Sequence, residues 1–210
     1  MTIGLEEGAR ALGLAPSARQ IEQLEAYGAL ILKWNKVYNL TALRDEANVR
    51  THHLLDSLAA VGPLNRQQPG PGRLLDVGSG GGLPGVVIAI LRPDLEVRCL
   101  DAVAKKTAFV NQVAAELQLP HLKGVHARVE SLTGAYDVVS SRAFASLADF
   151  FRGSRQLLAE QGVWLAMKGK VPNDELGALP GGVDVFHVEQ LHVPGLDAER
   201  CIVWARKSAD

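Results

Sequence analysis

The first 72 residues place apolar side chains at helical spacing, in stretches that polar residues separate. A short helical pattern covers residues 5–14, and a longer one begins after Ser17, which we expect to cap that helix. Five apolar residues recur at helical spacing in the longer pattern: Ile21, Leu24, Leu30, Ile31 and Trp34. A third amphipathic stretch ends near Leu58, before the proline- and glycine-rich segment "GPLNRQQPGPG". These patterns predict an N-terminal helical cap over residues 1–72.

From Arg73 onward, short apolar runs alternate with helical periods. The predicted strands are "RLLDV", "EVRCLDA", "LKGVHAR", "YDVVSS", "GVWLAMKG", "VDVFHVEQLHV" and "RCIVWAR". The predicted helices are "PGVVIAILR", "KKTAFVNQVAAELQ" and "LADFFRGSRQLLAE". This alternation is typical of an α/β fold with a mostly parallel seven-stranded sheet, helices on both faces and room for antiparallel strands at the end. We expect this domain to span residues 73–210.

A glycine-rich turn follows the first predicted strand. Five glycines fall within residues 78–85, "GSGGGLPG", and a helical pattern begins directly after them. Glycine lets a ligand approach the main chain closely, and open α/β sheets bind ligands at the carboxyl ends of their strands. We therefore expect the cofactor of this protein at this turn.

The residues around the turn narrow the class of ligand. The turn lacks the GK[ST] sequence of nucleoside triphosphate sites, and no lysine or arginine lies between Asp76 and Arg92. A phosphate-bearing ligand would usually recruit a cation there, whereas S-adenosylmethionine carries no phosphate. The order of Asp76, the glycine turn and Asp101 favours an S-adenosylmethionine-dependent methyltransferase, with Asp101 accepting hydrogen bonds from the ribose hydroxyls. The same order also suits an NAD-dependent oxidoreductase, which remains an alternative.

Composition adds predictions about compartment and partners. The net charge is -1, so any nucleic-acid surface must be local. Cys99 and Cys201 lie in apolar runs without CxxC spacing, which predicts two buried thiols and a reducing compartment. No continuous apolar stretch near the N-terminus or later reaches the roughly 18 residues of a membrane span. We expect a cytoplasmic, monomeric protein without a metal or a membrane contact.

Further strings point to one family. They are, in order, "NLTALRD", "HLLDSL", "DVGSGGGLPG", "LDAVAKK", "SRAFASL", "MKG" and "ER". Over residues 24–206 the chain resembles the RsmG (GidB) family, bacterial Rossmann-like class I methyltransferases that modify guanine N7 in 16S ribosomal RNA. It departs from the family pattern at Val87, at Ala102 and at His52, where an arginine is usual. Because histidine is not a permanent cation, an RNA contact at His52 is not assigned.

The resemblance and the glycine turn together predict a set of site residues. The resemblance implies cofactor contacts at Gly78, Leu83, Asp101, Val129, Glu130 and Arg142, and the turn adds Gly80 and Gly82. Contacts to substrate RNA are expected at Asn39, His53, Lys105, Lys106 and Arg200, and Asp56 of the cap could approach the substrate as well. From residue 100 to residue 170 the chain has nine lysines and arginines against six carboxylates, a modest surplus that fits an RNA-facing surface.

The chemistry of the implied reaction limits the roles of these residues. Guanine N7 carries a lone pair and no proton, so its methylation needs no general base. The chain also lacks the [DNS]PP[YFW] segment of amino-directed enzymes and the Pro-Cys pair of carbon-5 enzymes. Arg142 and Lys168 are therefore predicted to act by positioning alone. Since an arginine bonded to both O6 and N7 would block the reacting atom, we expect them to contact O6, phosphate or the cofactor carboxylate.

Two further alternatives stay open beside the oxidoreductase. A non-catalytic RNA-binding or assembly factor could keep the fold without turnover, although the complete "GSGGGLPG" and "SRAFASL" strings argue against it. A small-molecule methyltransferase is less favoured, because no large aromatic lid is visible in the sequence. Tight binding of NADH without binding of S-adenosylmethionine would select the oxidoreductase.

Overall fold

A computed structural model describes residues 3–142, 144 and 146–208. Its helices are α1 (Leu5–Ala11), α2 (Ala18–Tyr38), α3 (Glu46–Val49), a π-helix (Arg50–Leu55), α4 (Asp56–Leu58), α5 (Val61–Gln67), α6 (Gly85–Leu91), α7 (Ala104–Glu116), α8 (Leu147–Ser154) and α9 (Asn173–Leu176). Short 3₁₀ turns lie at Val129–Ser131 and Arg155–Leu157. The cap thus consists of the helices that precede the first strand.

The strands form one seven-stranded sheet in the order β3-β2-β1-β4-β5-β7-β6. They are β1 (Gly72–Val77), β2 (Leu95–Asp101), β3 (Leu122–His126), β4 (Tyr136–Ser141), β5 (Leu158–Lys168), β6 (Val183–Leu191) and β7 (Arg200–Lys207). The pairs among β1 to β5 are parallel, and β7 is antiparallel to both of its neighbours. The predicted fold class is confirmed. The order of strands reverses between β1 and β4, where open α/β sheets bind ligands.

The alternation of side chains along β1 builds two hydrophobic cores. Leu74 packs with the cap, α6 and α7 on one face of the sheet. Its neighbour Leu75 packs with α8 and Trp164 on the other face. Because successive residues of a strand point to opposite faces, both faces must be apolar and both must be covered by helices.

Helix α2 begins and faces the core as its sequence predicts. The Ser17 hydroxyl accepts from the Gln20 N–H, and the Gln20 side chain accepts from the Ser17 N–H, which completes a capping box. Its buried residues include Leu24 and Ile31, which the helical pattern had placed on the inner face.

The structure corrects two predicted elements and adds one short helix. The helix predicted over "LADFFRGSRQLLAE" ends at Ser154, and β5 already begins at Leu158. About half of the segment predicted as a linker after Leu58 belongs to helix α5. Pro63 does not prevent this helix, because it lies in the first turn, where proline is tolerated. The helix also buries apolar side chains. The short helix α9 was not predicted, since its four residues carry no apolar period.

Helix α2 is attached directly to the glycine turn. The Tyr27 hydroxyl donates to the Gly81 carbonyl at 2.6 Å, and the Gln20 amide donates to the Ile90 carbonyl at 2.9 Å. Cap and sheet also share one hydrophobic core. The division into a cap of residues 1–72 and a methyltransferase domain of residues 73–210 stays a prediction.

Replacing Tyr27 by phenylalanine should lower the free energy of unfolding by about 1 kcal/mol, because the Gly81 carbonyl loses its buried donor. Urea denaturation of the ligand-free protein measures this change. Tyr136→Phe is the matched control, since Tyr136 is as deeply buried but its hydroxyl has no hydrogen-bond partner within the described residues. Equal losses in the two variants would contradict a specific role for the Tyr27 hydroxyl.

Candidate active site

The glycine turn after β1 exposes bare main chain on one side. Its first N–H groups, at Gly78 and Ser79, both donate to the Leu100 carbonyl, which fixes the turn to the end of β2. Gly78 has a φ of 68° and Gly80 a φ of 60°, and a Cβ built on either would meet no atom of the described residues within 4 Å, apart from its chain neighbours. Side chains there would project into open space, so the absence of side chains leaves room for a ligand.

Asp101 stands at the end of β2 beside this turn. Its Oδ2 accepts from the Gly80 N–H at 3.0 Å, and its Oδ1 accepts from the Val103 N–H at 2.9 Å. The Lys106 ammonium lies 3.6 Å from Oδ2. A carboxylate can accept about four hydrogen bonds, so Asp101 retains capacity for two hydroxyl groups of a ligand.

A cleft of about 260 Å³ opens at this carboxylate. It is bounded by Gly78 and Asp101 on one side and by Val129, Glu130 and Phe144 on the other. The 3₁₀ turn after β3 brings Val129 and Glu130 to this position. Most of the exposed surface of the cleft is apolar. An apolar slot that ends at a carboxylate suits a flat heterocycle attached to a ribose.

A second cleft, of about 190 Å³, continues from the first across Gly78. The glycine turn forms its floor, with Leu83 among the lining residues. Lys106 and Arg142 supply two cations, and Thr41 and His53 of the cap close the far side. A ligand that fills both clefts would therefore lie across the turn, with an anionic end toward the two cations.

Arg142 is held by the π-helix of the cap. Its Nη1 donates to the His52 carbonyl at 3.0 Å and to Asp56 Oδ2 at 3.2 Å, and its Nη2 lies 3.4 Å from His53 Nδ1. A π-helix is wider than an α-helix and occurs often at functional sites. Here the π-helical residues and Asp56, which follows them, place two oxygen acceptors and one imidazole nitrogen around one guanidinium.

Asp56 joins two arginines. Its side chain is only 4% exposed, and its Oδ1 accepts from Arg200 Nε at 2.7 Å while Oδ2 accepts from Arg142. Since a buried carboxylate between two guanidinium groups fixes both, Asp56 determines where Arg142 and Arg200 point.

A third cleft, of about 330 Å³, lies beyond this bridge. It shares His53 and Arg142 with the second cleft and adds Lys168 and Arg200. The Lys168 ammonium is paired with both oxygens of Glu175, at 2.9 and 3.0 Å, and Glu175 also accepts from the Leu147 N–H. The third cleft is therefore lined by cations that carboxylates hold in fixed positions.

His53 is neutral in this environment. Burial, followed by the charge of Arg142, lowers the pKa of His53 to about 4. Its Nε2 lies 2.6 Å from the Thr41 hydroxyl, which also accepts from the Leu43 N–H. At neutral pH His53 thus adds a hydrogen-bonding group to the wall between the second and third clefts, without adding charge.

Asp76 lies beneath the glycine turn and is fully buried. Its carboxylate accepts from the Gly85 N–H and from the Ser140 hydroxyl, both at 3.0 Å. Burial nevertheless raises the pKa of Asp76 to about 7. Because the folded protein binds this proton more tightly than the unfolded chain, the stabilisation is complete below about pH 4 and is lost as the pH rises through 7.

The Asp76→Asn variant should reveal this linkage. The stability of the wild type relative to the variant is expected to be roughly 2 to 3 kcal/mol greater at pH 5 than at pH 8. His53 does not alter this difference, because its lowered pKa, which gives stability that is lost as the pH falls from about 6.5 through 4, is common to both proteins. Urea denaturation at both pH values measures the difference, and a difference that does not change with pH would contradict the burial effect.

The three clefts bring together most of the predicted site residues. Those that line a cleft are Gly78, Gly80, Leu83, Asp101, Val129, Glu130, Arg142, His53, Lys106, Lys168 and Arg200. Gly82 faces the protein, since a Cβ there would lie 2.5 Å from Val86 Cγ2. Asn39 and Lys105 are exposed and lie outside the lining of these clefts.

Some features of the site were not predicted from the sequence. Glu175 was not singled out, because it stands in a polar segment without a motif. Asp56 was expected near the substrate, but its bridge between Arg142 and Arg200 was not foreseen. In the string "SRAFASL", Ala143 and Ala145 lie outside the described residues.

Three further findings bear on the predicted partners and thiols. Within residues 3–142, 144 and 146–208, no helix is long and apolar enough to cross a membrane. In the same part of the chain, no three His, Cys, Asp or Glu side chains are grouped to hold a metal ion. Cys99 and Cys201 are both buried free thiols, as expected.

The fold is that of the class I S-adenosylmethionine-dependent methyltransferases. A similar solved structure is that of the 1,6-didemethyltoxoflavin-N1-methyltransferase of Burkholderia thailandensis with bound S-adenosylhomocysteine, with a TM-score of 0.60, 16% identity and 93% of each chain covered. TrmN of Thermus thermophilus aligns with the same TM-score and 21% identity over 72% of this chain and 49% of its own.

Comparison of sequences finds relatives of much higher identity. Residues 20–203 match the family described as GidB, rRNA small subunit methyltransferase G. The "Ribosomal RNA small subunit methyltransferase G" of Acidovorax sp. (strain JS42) is 63% identical, over 98% of this chain and 95% of the relative. That of Polaromonas naphthalenivorans (strain CJ2) is 62% identical, over 96% and 94%. The chain belongs to the rRNA small subunit methyltransferase G family, so the predicted resemblance is confirmed and S-adenosylmethionine is the cofactor.

Proposed function

We propose that the protein transfers a methyl group from S-adenosylmethionine to N7 of a guanine in 16S ribosomal RNA. The observation that carries this proposal is the continuous row of three clefts, in which the first two share Gly78 and the last two share His53 and Arg142. Two clefts fit the two halves of the cofactor, and the third, cationic cleft is left for the substrate.

The first two clefts fit the cofactor by their chemistry. Asp101 has the acceptor capacity to bind both ribose hydroxyls, and Val129 and Glu130 would flank the base. Arg142 and Lys106 would bind the carboxylate end, while Gly78 and Gly80 leave the main chain accessible. When bound, S-adenosylmethionine supplies the methyl group on its sulfonium.

The third cleft suits a guanine whose reacting atom needs no base. Lys168 and Arg200 are cations that can bind O6 or a phosphate and leave N7 free. The only role left to these residues is to hold the base in line with the methyl group, and such positioning can contribute roughly 7 to 11 kcal/mol in favourable cases. Because N7 lies in the closed major groove of A-form RNA, the target should be unpaired or turned out of its stack.

Lys168→Ala should lower kcat/KM for methylation of RNA about 10-fold and leave the Kd for S-adenosylmethionine within twofold, because one charge-assisted contact to the substrate is lost. Arg142→Ala should reduce both methyl transfer and cofactor binding, since Arg142 lines the second and third clefts. Filter-bound methyl transfer and calorimetric titration measure the two quantities. Lys170→Ala, on an exposed neighbour, is the control, and unchanged transfer in both active-site variants would defeat the assignment.

The function itself is tested by mapping the modified base. Protein and tritiated S-adenosylmethionine are incubated with small-subunit RNA from a strain that lacks the enzyme, and the label is located by borohydride and aniline cleavage. Cleavage at a labelled guanine is expected. Label on another atom would refute the reaction, and binding of the RNA without transfer would favour a non-catalytic assembly factor.

We also propose that the protein acts as a monomer, without a metal, in the cytoplasm where ribosomal subunits are assembled. The three clefts are complete within one chain, which supports the monomer. Light scattering during gel filtration should give the mass of one chain, about 22.5 kDa. Chelator should leave activity unchanged.

A further inference from the structure

Three exposed apolar residues are close in sequence to residues that line the second cleft. In the described part of the chain, the large apolar residues with high exposure are Val37 (70%), Tyr38 (41%) and Val103 (38%), which we call the rim patch. Val37 and Tyr38 end α2, and Leu40 just after them lines the second cleft. Val103 precedes α7, whose Lys106 lines the same cleft. Val37 and Tyr38 are adjacent, and exposed apolar residues that lie together mark a binding surface more often than scattered ones do.

The Tyr38 ring is the outer end of a row of aromatic rings. Tyr27 and Phe109 are fully buried, with ring centroids 6.4 Å apart. Trp34 lies 5.2 Å from Phe109, and Tyr38 lies 4.9 Å from Trp34, one helical turn further along α2. Because Trp34 supports one side of the Tyr38 ring, the ring loses little freedom when a second flat group stacks on it.

The chain segments that carry the rim patch are rich in cations. Residues 26–44 and 102–115 contain five cations and no carboxylate: Lys33, Lys36, Arg44, Lys105 and Lys106. Nearby acids have partners of their own, since Asp45 accepts from Asn48 and Glu46 is paired with Arg50. Lys106 is paired with Asp101, and the other four cations carry no ion pair within the described residues. Apolar rings among such cations match the bases and phosphates of a single-stranded nucleic acid.

We propose that Tyr38 stacks on an unpaired nucleobase adjacent to the methylated guanine, while Lys36, Arg44 and Lys105 contact the phosphates of the same strand. The inference rests on the proposed RNA substrate and adds a binding subsite to it. RNA is recognised largely through unpaired bases stacked on aromatic side chains, and such stacking tolerates any base. Since the rim patch adjoins the second cleft, a strand that delivers its guanine to the third cleft passes close to Tyr38.

The test compares Tyr38→Ala, Tyr38→Phe and Tyr38→Trp in fluorescence anisotropy with a small-subunit RNA fragment that the wild type methylates. Tyr38→Ala should weaken RNA binding roughly 5- to 100-fold and raise KM for RNA. The Kd for S-adenosylmethionine should not change. The phenylalanine and tryptophan variants keep a flat ring and should bind nearly as the wild type does.

Two controls separate stacking from other effects. Lys105→Ala should reduce the dependence of RNA binding on salt by about one phosphate contact, whereas Tyr38→Ala should leave that dependence unchanged. Phe186→Ala removes a partly exposed ring on β6, far along the sheet from the cofactor clefts, and should leave RNA binding unchanged.

Several results would overturn the inference. RNA binding by Tyr38→Ala at wild-type strength would exclude a stacking contact, and a Tyr38→Phe variant as weak as Tyr38→Ala would assign the contact to the hydroxyl. A defect on ribosomal particles but not on naked RNA would mean that the rim patch binds a protein. If the wild type itself neither bound nor methylated RNA, the proposed function would be refuted, and the proposed subsite would be refuted with it.

Discussion

Replacing Asp56 by alanine is expected to lower the rate of methyl transfer at least about 100-fold, which corresponds to about 2.7 kcal/mol. The carboxylate is buried and accepts from both Arg142 and Arg200. Its loss would leave two guanidinium groups side by side without a counter-charge, and breaking a buried pair costs roughly 3 to 5 kcal/mol. Both arginines would then move away from the third cleft.

Single-turnover rates at saturating S-adenosylmethionine and RNA measure the effect, and thermal unfolding shows whether the variant is folded. Asp56→Asn keeps the shape and an acceptor, so we expect it to fold and to retain part of the activity. Asp184→Ala is the control, because its ion pair with Arg206 is exposed and contributes little. Transfer by Asp56→Ala at the wild-type rate would show that the arginine bridge has no role in catalysis.

Asp101→Ala should raise the Kd for S-adenosylmethionine roughly 10- to 150-fold, the effect of losing a charged hydrogen-bond acceptor for the ribose. The same change also removes the acceptor for the N–H groups of Gly80 and Val103, so the glycine turn loses one of its anchors. Isothermal titration with S-adenosylmethionine and S-adenosylhomocysteine measures both affinities.

Glu96→Ala is the matched control for Asp101. Glu96 lies on the same strand, near its other end, and its side chain is largely exposed and only loosely paired with Arg73. It should bind the cofactor as the wild type does. An Asp101→Ala variant with unchanged cofactor affinity would place the cofactor elsewhere.

The residues that line the first two clefts follow largely from the sequence, because that part of the site is built from local features. The first strand, the glycine turn and Asp101 follow from short strings whose geometry depends on neighbours in sequence. Parallel strands then bring their carboxyl ends to one edge of the sheet, so Val129 and Glu130, in the 3₁₀ turn after β3, join the same cleft. Helix α2 and its capping box could also be predicted, because they depend on residues that are close together in the sequence.

The third cleft could be predicted in less detail, because it depends on contacts between residues that are far apart in the sequence. Asp56 meets Arg142 across 86 positions and Arg200 across 144 positions. The π-helix that presents the His52 carbonyl to Arg142 has no periodic signature of its own. Lys168 was expected to act in the site, but its partner Glu175 stands in a segment without apolar periodicity.

Gly82 illustrates why a motif does not assign a role to each of its residues. It belongs to the glycine turn, yet a Cβ at this position would meet Val86 and Val110 in the core. Gly78, four residues earlier, faces open space. A cofactor contact at Gly82 therefore stays a prediction, while its packing alone already requires glycine.

The most direct test of the central claim is a crystal structure of the protein with S-adenosylhomocysteine. Ribose hydroxyls are expected within hydrogen-bond distance of the Asp101 carboxylate, with the base beside Val129 and the amino-acid end across Gly78 toward Arg142. A ligand bound at another edge of the sheet, with Asp101 not in contact, would contradict that claim.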